Sequence, residues 1–278
     1  MKKTFIILFY FGISFQIFSQ NTDVSTINVG EYRISMLCES RNNGNTNILL
    51  DTPEDTIKKY LPDGFTSSIN VFLIQNQSQN ILIDAGLGLK LDENLKSLNV
   101  KAEQIDIILI THVHGDHIGG LLKDNKKAFP NAKIYFSEKE ISYWKSINNE
   151  LFNNVISKYE NNIMTFVPNN INGVTKEVIE NIFPIESSGH TPGHCSFLLS
   201  SANEKLLFLG DITHVTDIQY LKPEVAVTYD VNPKQAVETR KIIFEYIYRN
   251  ELKFAGAHIL GGFGYLEAKN NEGYIFAQ

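Results

Sequence analysis

Cysteine is scarce in this chain: Cys38 and Cys195 are the only thiols in 278 residues, which rules out a disulfide framework as the source of stability. One bridge at most can form, and two separate buried thiols are the expectation, because a chain of this size builds a core without a staple. Basic excess is missing too. With 25 Lys and Arg against 31 Asp and Glu, the net charge of -6 offers no electrostatic footprint for nucleic acid or for an anionic membrane surface. There is no Pro/Ser-rich linker, no short-period repeat and no low-complexity tract, so nothing marks a division into several domains. Walker loop and Ser-His-Asp arrangement are both lacking, and Gly86-Leu87-Gly88 is without the third glycine of a dinucleotide fingerprint. Small-molecule chemistry is what remains.

The N-terminal residues suggest an address. Lys2 and Lys3 precede an apolar run over residues 5–18, and polarity returns at Ser19-Gln20-Asn21-Thr22. That is the outline of a secretory signal peptide. The run falls short of the roughly 20 residues of a spanning helix and is broken by Gly12, Ser14 and Gln16. Cleavage is expected near Ser19 or Gln20, leaving residues 21–278 as one catalytic domain, periplasmic or secreted and free of the membrane.

Beyond that point β-branched and aromatic runs at residues 32–37, 69–75 and 81–84 predict an antiparallel meander. A polar stretch from Glu39 to Phe65 interrupts it, long enough to be a lid or binding loop. Leu91, Leu95 and Leu98 are spaced for one helical face, and residues 105–110 form a nearly continuous apolar strand. A helix over 121–129, a strand over 133–136 and a helical region over 138–158 are expected next. Strands at 182–185, 196–199 and 206–209, a helix from Pro233 to about Asn250 capped by Asn232, and a last strand at 254–258 complete the pattern. Strands in two blocks, each followed by helices, imply two sheets packed face to face with helices outside.

The chemistry is concentrated in Thr111-His112-Val113-His114-Gly115-Asp116-His117, directly after the apolar strand. Imidazole nitrogen and carboxylate oxygen are the ligands a borderline ion such as Zn²⁺ prefers, and a turn at a strand end lets neighbouring side chains converge. All seven histidines fall within four short segments, at 112–117, 190–194, 214 and 258, and histidines without a shared task would scatter. The other segments are Ser188-Gly189-His190-Thr191-Pro192-Gly193-His194, Leu209-Gly210-Asp211 with His214 close behind, and Gly256-Ala257-His258.

In this order the motifs resemble those of the metallo-β-lactamase superfamily over nearly the whole mature chain. The resemblance implies an α/β fold, an αββα four-layer sandwich of two mixed β-sheets with helices outside. It also implies two divalent metal ions, with zinc the expected metal. His112, His114 and His190 would hold one, Asp116, His117 and His258 the other, and Asp211 would bridge them. Asp84 would orient a ligand imidazole through its other ring nitrogen. Two such ions sharing a water lower its pKa toward neutrality and give a hydroxide able to attack a carbonyl or phosphoryl centre, with Asp116 orienting it.

For the substrate, departures are more telling than agreements. His114 stands where a diiron oxidoreductase of this fold would carry Glu. Nucleases of the superfamily would need a basic surface. The stretch from Gly210-Asp211 through Gln219-Tyr220, Pro223-Glu224, Tyr229-Asp230 and Thr239-Arg240 resembles the methyl parathion hydrolase-like and acyl-homoserine lactonase-like branch. Well-known lactonases of that branch carry Tyr three residues after the bridging Asp, and this chain has His214. The expected activity is therefore cleavage of a small ester, lactone or phosphotriester, with His214 as a second catalytic candidate contacting the leaving group or as a structural residue. His194 is expected to fix the Gly189–Gly193 turn. Tyr143 and Trp144 would line a pocket or, as aromatic residues at helical spacing more often do, the core. A periplasmic metallo-β-lactamase is the alternative, and a ligand-binding protein with a degenerate centre ranks behind it because no ligand position is lost. A homodimer is an expectation carried from the resemblance.

Overall fold

A computed structural model describes residues 23–270 and 273–278; the expected signal segment, residues 1–20, lies outside the described residues. The first sheet begins with β1 (Val24–Val29) and β2 (Tyr32–Asn43). A lid segment carrying α1 (Glu54–Tyr60) leads to β3 (Thr66–Gln75) and β4 (Asn80–Ile83). Each of these strands is antiparallel to the one before, as the alternating pattern predicts. After α2 (Leu91–Ser97) the chain forms β5 (Ile107–Leu109), α3 (Gly115–Ile118) and a small hairpin of β6 (Leu122–Lys123) and β7 (Lys126–Lys127). It continues through β8 (Lys133–Ser137), α4 (Glu138–Ser146), α5 (Glu150–Tyr159) and β9 (Ile163–Phe166). Strands β5, β8 and β9 extend the sheet in parallel from β4.

The second sheet runs in chain order, β10 (Ile182–Glu186), β11 (Cys195–Ser201) and β12 (Glu204–Phe208), then β13 (Lys253–Ala255), β14 (Phe263–Lys269) and β15 (Tyr274–Ala277). Between β12 and β13 lie α6 (Thr216–Gln219) and α7 (Pro233–Arg249), and that crossover makes β12 and β13 parallel. Both sheets are thus mixed.

Alternation along the strands assigns the layers. Met36, Phe72, Ile74, Ile83 and Leu109 of the first sheet meet Phe197, Leu199, Leu206 and Phe208 of the second in one buried cluster. Their neighbours Leu37, Leu73, Leu82 and Ile108 face the other way and pack under Leu91, Leu95, Phe152 and Val155 of the helices. On the far side, Leu198, Leu207 and Phe254 pack against Ile243, Phe244 and Ile247 of α7. The result is the expected αββα sandwich. α7 starts where Asn232 accepts from the Gln235 N–H and Pro233 occupies the first turn, a pairing legible in the sequence.

Several elements differ from expectation. Residues 121–129 are not a helix, because Asp124 and Asn125 adopt φ of 49° and 57° and close the two-residue β6–β7 hairpin. The helical region 138–158 breaks in two where Asn148 turns left-handed (φ 52°) and Asn149 caps α5 through the Phe152 N–H. The strands expected at 105–110 and 254–258 are shorter, and the residues beyond their ends become site loops. The polar stretch 39–65 is structured at both ends. β2 continues to Asn43, and Leu49 and Leu61 bury with Val215, Ile218, Val225 and Val227 in a small core of their own. Cys38 and Cys195 are buried and unbridged, and no helix among the described residues is long and apolar enough to cross a membrane.

Candidate metal centre

The site lies at one edge of the sandwich, where β4, β5, β12 and β13 end and β11 begins. Asp84 follows β4 with φ 63°, and its carboxylate accepts from the Thr111 N–H (2.8 Å), the Thr111 hydroxyl (2.8 Å) and the His117 Nδ1–H (2.8 Å). One side chain thus fastens the end of β5 and aims His117. The turn from His112 to His117 carries the chain from β5 into α3.

The second histidine turn is shaped by close approach. A Cβ on Gly193 would stand 2.3 Å from the Glu140 nitrogen at the start of α4, and one on Gly189 (φ 135°) 2.3 Å from the Ala236 nitrogen of α7. Only glycine lets both helices press on this turn.

Two groups of ligand atoms result. One comprises His112, His114, His190 and Asp211, the other Asp116, His117, Asp211 and His258, and within each group the atoms lie within 4.8 Å of one another. Asp211 belongs to both. His190 and His258 Nε2 approach its Oδ2 at 3.3 and 3.1 Å, while His117 Nε2 is 3.1 Å from its Oδ1. His112 Nε2 and His190 Nε2 lie 3.0 and 2.9 Å from His114 Nδ1. Imidazole nitrogens crowded onto one point suit a shared cation better than each other. His117 Nε2 and Asp211 Oδ1, though 3.1 Å apart, are not aligned to hydrogen-bond and are buried with no other partner, as ligand atoms of a shared ion would be.

The outer nitrogens are held. His190 Nδ1 bonds Asp230 at 2.8 Å, and His258 Nδ1 donates to the Ser68 carbonyl at 2.7 Å, leaving Nε2 of both rings facing the centre. Burial, helped by neighbouring imidazoles, lowers His112 well below its ordinary pKa and His114 to about 4. Burial works against charge at His117 and His258 as well, but Asp211 and the other carboxylates outweigh it. They raise His117 well above the ordinary range and His258 to about 9. Asp211, which burial alone would raise, is held far below the carboxylate range by His117 and His258. The carboxylates therefore demand compensating positive charge in the centre, which protons or metal ions can supply.

His194 joins neither group. Its Nδ1–H donates to the Ser187 carbonyl (3.0 Å) and its Nε2 accepts from the Asp211 N–H (3.0 Å), so it holds the Asp211 loop rather than only its own turn. His214 stacks on His258 with ring centroids 4.9 Å apart, and its Nε2 is 3.1 Å from Asp211 Oδ2. Trp144 is buried core, edge-on to His114 at 5.6 Å, and neither it nor Tyr143 lines the cavity over the centre.

That cavity measures about 640 Å³. Its floor is His114, Asp116, His190, Asp211, His214 and His258; its walls are apolar at Ile48, Phe65, Ile69 and Leu87, with Tyr229 beside them and Asn42, Asn43 and Asn45 at the rim. Among the described residues, none of those lining it is Lys or Arg.

Sequence reasoning missed the roles of Asp230, Glu140 and Arg240. Asp230 was visible only as part of a resemblance. Arg240 is buried in α7 and donates to the carbonyls of Ile212, Pro223 and Val225, which shapes the segment bearing His214. No spacing rule marks partners that meet only across the fold.

The profile described as the Metallo-beta-lactamase superfamily matches residues 64–248. The chain belongs to this superfamily. A solved metallo-β-lactamase-fold neighbour, the hydrolase AbOPH of the beta lactamase superfamily, is 30% identical with a TM-score of 0.81, over 93% of this chain and 98% of that one. AidC, described as a dizinc quorum-quenching lactonase in complex with a product, superimposes equally well (TM-score 0.81, 93% and 98% covered) at 23% identity, a likeness of fold. YobT of Bacillus subtilis, an uncharacterized protein, is 30% identical over 138 residues, 47% of this chain and 56% of its own length. A shorter match reaches the exodeoxyribonuclease WalJ of Streptococcus pneumoniae, 37% identical over 87 residues, 31% of this chain and 30% of that protein. The chain thus matches little more than half the length of the first of these curated relatives and less of the second.

Proposed function

We propose that this metal-dependent hydrolase is an exported dizinc enzyme that cleaves a neutral ester, lactone or phosphotriester bearing an apolar group. The observation carrying this reading is the cavity: apolar walls and no cationic side chain above the histidine–aspartate centre. Beyond the ions themselves, a phosphodiester backbone or a β-lactam carboxylate would find no basic side chain to hold its charge, whereas an uncharged ester or lactone needs none.

In this reading His112, His114 and His190 would hold one ion and Asp116, His117 and His258 the other, with Asp211 belonging to both groups. Nitrogen and oxygen donors of this kind suit zinc. The ions, when bound, supply Lewis acidity and a water activated near neutral pH. The protein's own groups do the rest. Asp116, partly exposed on the cavity floor, is placed to take a hydrogen bond from the attacking water and fix its direction. His214, which burial holds down to about 4, is neutral at physiological pH and stands on the cavity floor with its Nε2 3.1 Å from Asp211 Oδ2, where its ring contacts the departing group. The apolar walls exclude bulk water around the reacting bond.

Export rests on Lys2, Lys3 and the apolar run that follows them. N-terminal sequencing of the protein from the periplasm or medium is expected to begin near residue 21; an intact Met1 in the cytosolic fraction would contradict export.

The test of activity is a chelator-sensitive assay on a panel: an acyl-homoserine lactone, an aryl ester, methyl parathion, a chromogenic cephalosporin and single-stranded DNA. Turnover of one or more of the first three, lost on chelation and restored by zinc, is expected. Turnover confined to the cephalosporin or to DNA would replace this reading with a lactamase or a nuclease.

A further inference from the structure

Glu140 is a fully buried acid on α4 whose carboxylate hydrogen bonds run to backbone, indole and hydroxyl donors rather than to the candidate ligand imidazoles. Its Oε2 accepts from the Val113 N–H (3.0 Å) and from the Trp144 indole N–H (2.6 Å); its Oε1 accepts from the Gly193 N–H (2.8 Å) and the Thr191 hydroxyl. Val113 lies between His112 and His114, and Thr191 directly follows His190. The peptide N–H after His112 and, on the His190 turn, the Thr191 hydroxyl and the Gly193 N–H thus converge on a single side chain, which joins the two turns that carry the three histidines of one group. Trp144, held by the same carboxylate, stands edge-on to His114.

A second bond set reinforces the join. The Ser137 hydroxyl donates to the Gly193 carbonyl (2.7 Å) while accepting from the Glu140 N–H, so the start of α4 is fastened to the His190 turn twice over. Burying a carboxylate is costly, and four donors, two of them backbone N–H groups, offset that cost here. What the carboxylate adds is a fixed distance between two turns that are 76 residues apart at His114 and His190. The other group has different supports: Asp84 for His117, the Ser68 carbonyl for His258, and Asn70, which donates to the Gly256 and Ile259 carbonyls on either side of His258.

We infer that Glu140 is a positioning residue for the three-histidine half of the centre, setting the separation of the His112–His114 turn from the His190 turn and thereby the affinity for one ion of the two. The inference rests on the two-ion reading above. Oriented support of this sort is worth about 10–100-fold in metal affinity when it acts directly on a ligand, and about tenfold is expected through the backbone.

The experiment is titration of metal-free protein with Co²⁺, followed by its visible absorption, with no substrate present. The parent is expected to take two ions. In an H258A background, which leaves the three-histidine group intact, adding E140Q is expected to weaken the remaining ion about tenfold and alter its absorption band. In an H190A background the same substitution leaves the remaining ion unchanged. Equal loss in both backgrounds, or none in either, overturns the inference. A parent that binds no cobalt overturns the two-ion reading with it, whereas a parent that binds two ions while E140Q has no effect overturns this inference alone. Should E140Q fail to fold, T191V, which removes one of the donors, must weaken the same ion in the H258A background; parental affinity there overturns the inference.

Discussion

Asp230 and Asp84 do the same work from opposite sides of the centre, each holding the outer nitrogen of an imidazole at 2.8 Å. Asp84 was legible because its Leu-Ile-Asp-Ala-Gly segment resembles the superfamily's; Asp230 acquires its role only where the chain after α6 folds back over His190. Replacing Asp230 with Ala is expected to lower metal affinity about 10–100-fold, measured by competition with a chromophoric chelator, while the fold persists. Unchanged affinity would show that His190 needs no such support. At His194 the consequence is pH dependence. Burial lowers its pKa from 6.5 to about 3, so the unfolded chain takes up a proton near pH 6.5 that the folded chain refuses until about pH 3. Stability contributed by neutral His194 is therefore present above pH 6.5 and lost as pH falls through that window, by up to about 1.4 kcal/mol per pH unit. Urea unfolding of metal-free protein between pH 6.5 and 4.5 is expected to show a shallower decline for His194→Gln than for the parent, and parallel declines would count against it.

At the scale of elements, the hydrophobic period located most strands of both sheets and α7 but not β1, β9, β14 and β15, while the turns decided the rest. Residues 121–129 contain enough apolar positions for a helix, yet Asp124-Asn125 accommodates the left-handed pair that a two-residue hairpin requires. The lid is a further case. Its composition reads as loop, but Leu49 and Leu61 bury against the segment that carries His214 and Tyr229, with Leu49 bridged to Val227. Truncating Leu49 to Ala should weaken this docking by about 2–5 kcal/mol. Faster protease cleavage within residues 44–65 is the expected readout, together with a lower kcat/KM, since Ile48 and Phe65 line the cavity. Cleavage at the parental rate would mean that the lid stands without this small core.

For the molecule as a whole, the candidate ligands come from both sheets, so an ion bound there would tie the two halves of the sandwich together. Loading with zinc at 100 times its dissociation constant is expected to add about 2.7 kcal/mol per site to the unfolding free energy, and chelation to remove it, as a drop in Tm. A Tm indifferent to both would deny that the ions bind the folded state preferentially. The net charge of -6 and the cation-free cavity carry a second expectation. With a neutral substrate, kcat/KM should barely change between low and high salt, whereas a steep salt dependence would point to a charged one.

The order of the histidine and aspartate motifs, each placed at the end of an apolar run, carried the resemblance to the superfamily, and strands in two blocks, each followed by helices, implied the two-sheet architecture. Those features are local: a strand is an apolar period, and a ligand turn is a cluster of side chains next to it. Tertiary structure alone decided which atoms hold the ligands in place. Glu140, Asp230, Arg240, the Ser68 carbonyl and the Asp211-holding role of His194 act between segments far apart in the chain. Their positions follow no period, since a hydrogen bond across a fold depends on where two elements meet rather than on how their residues are spaced.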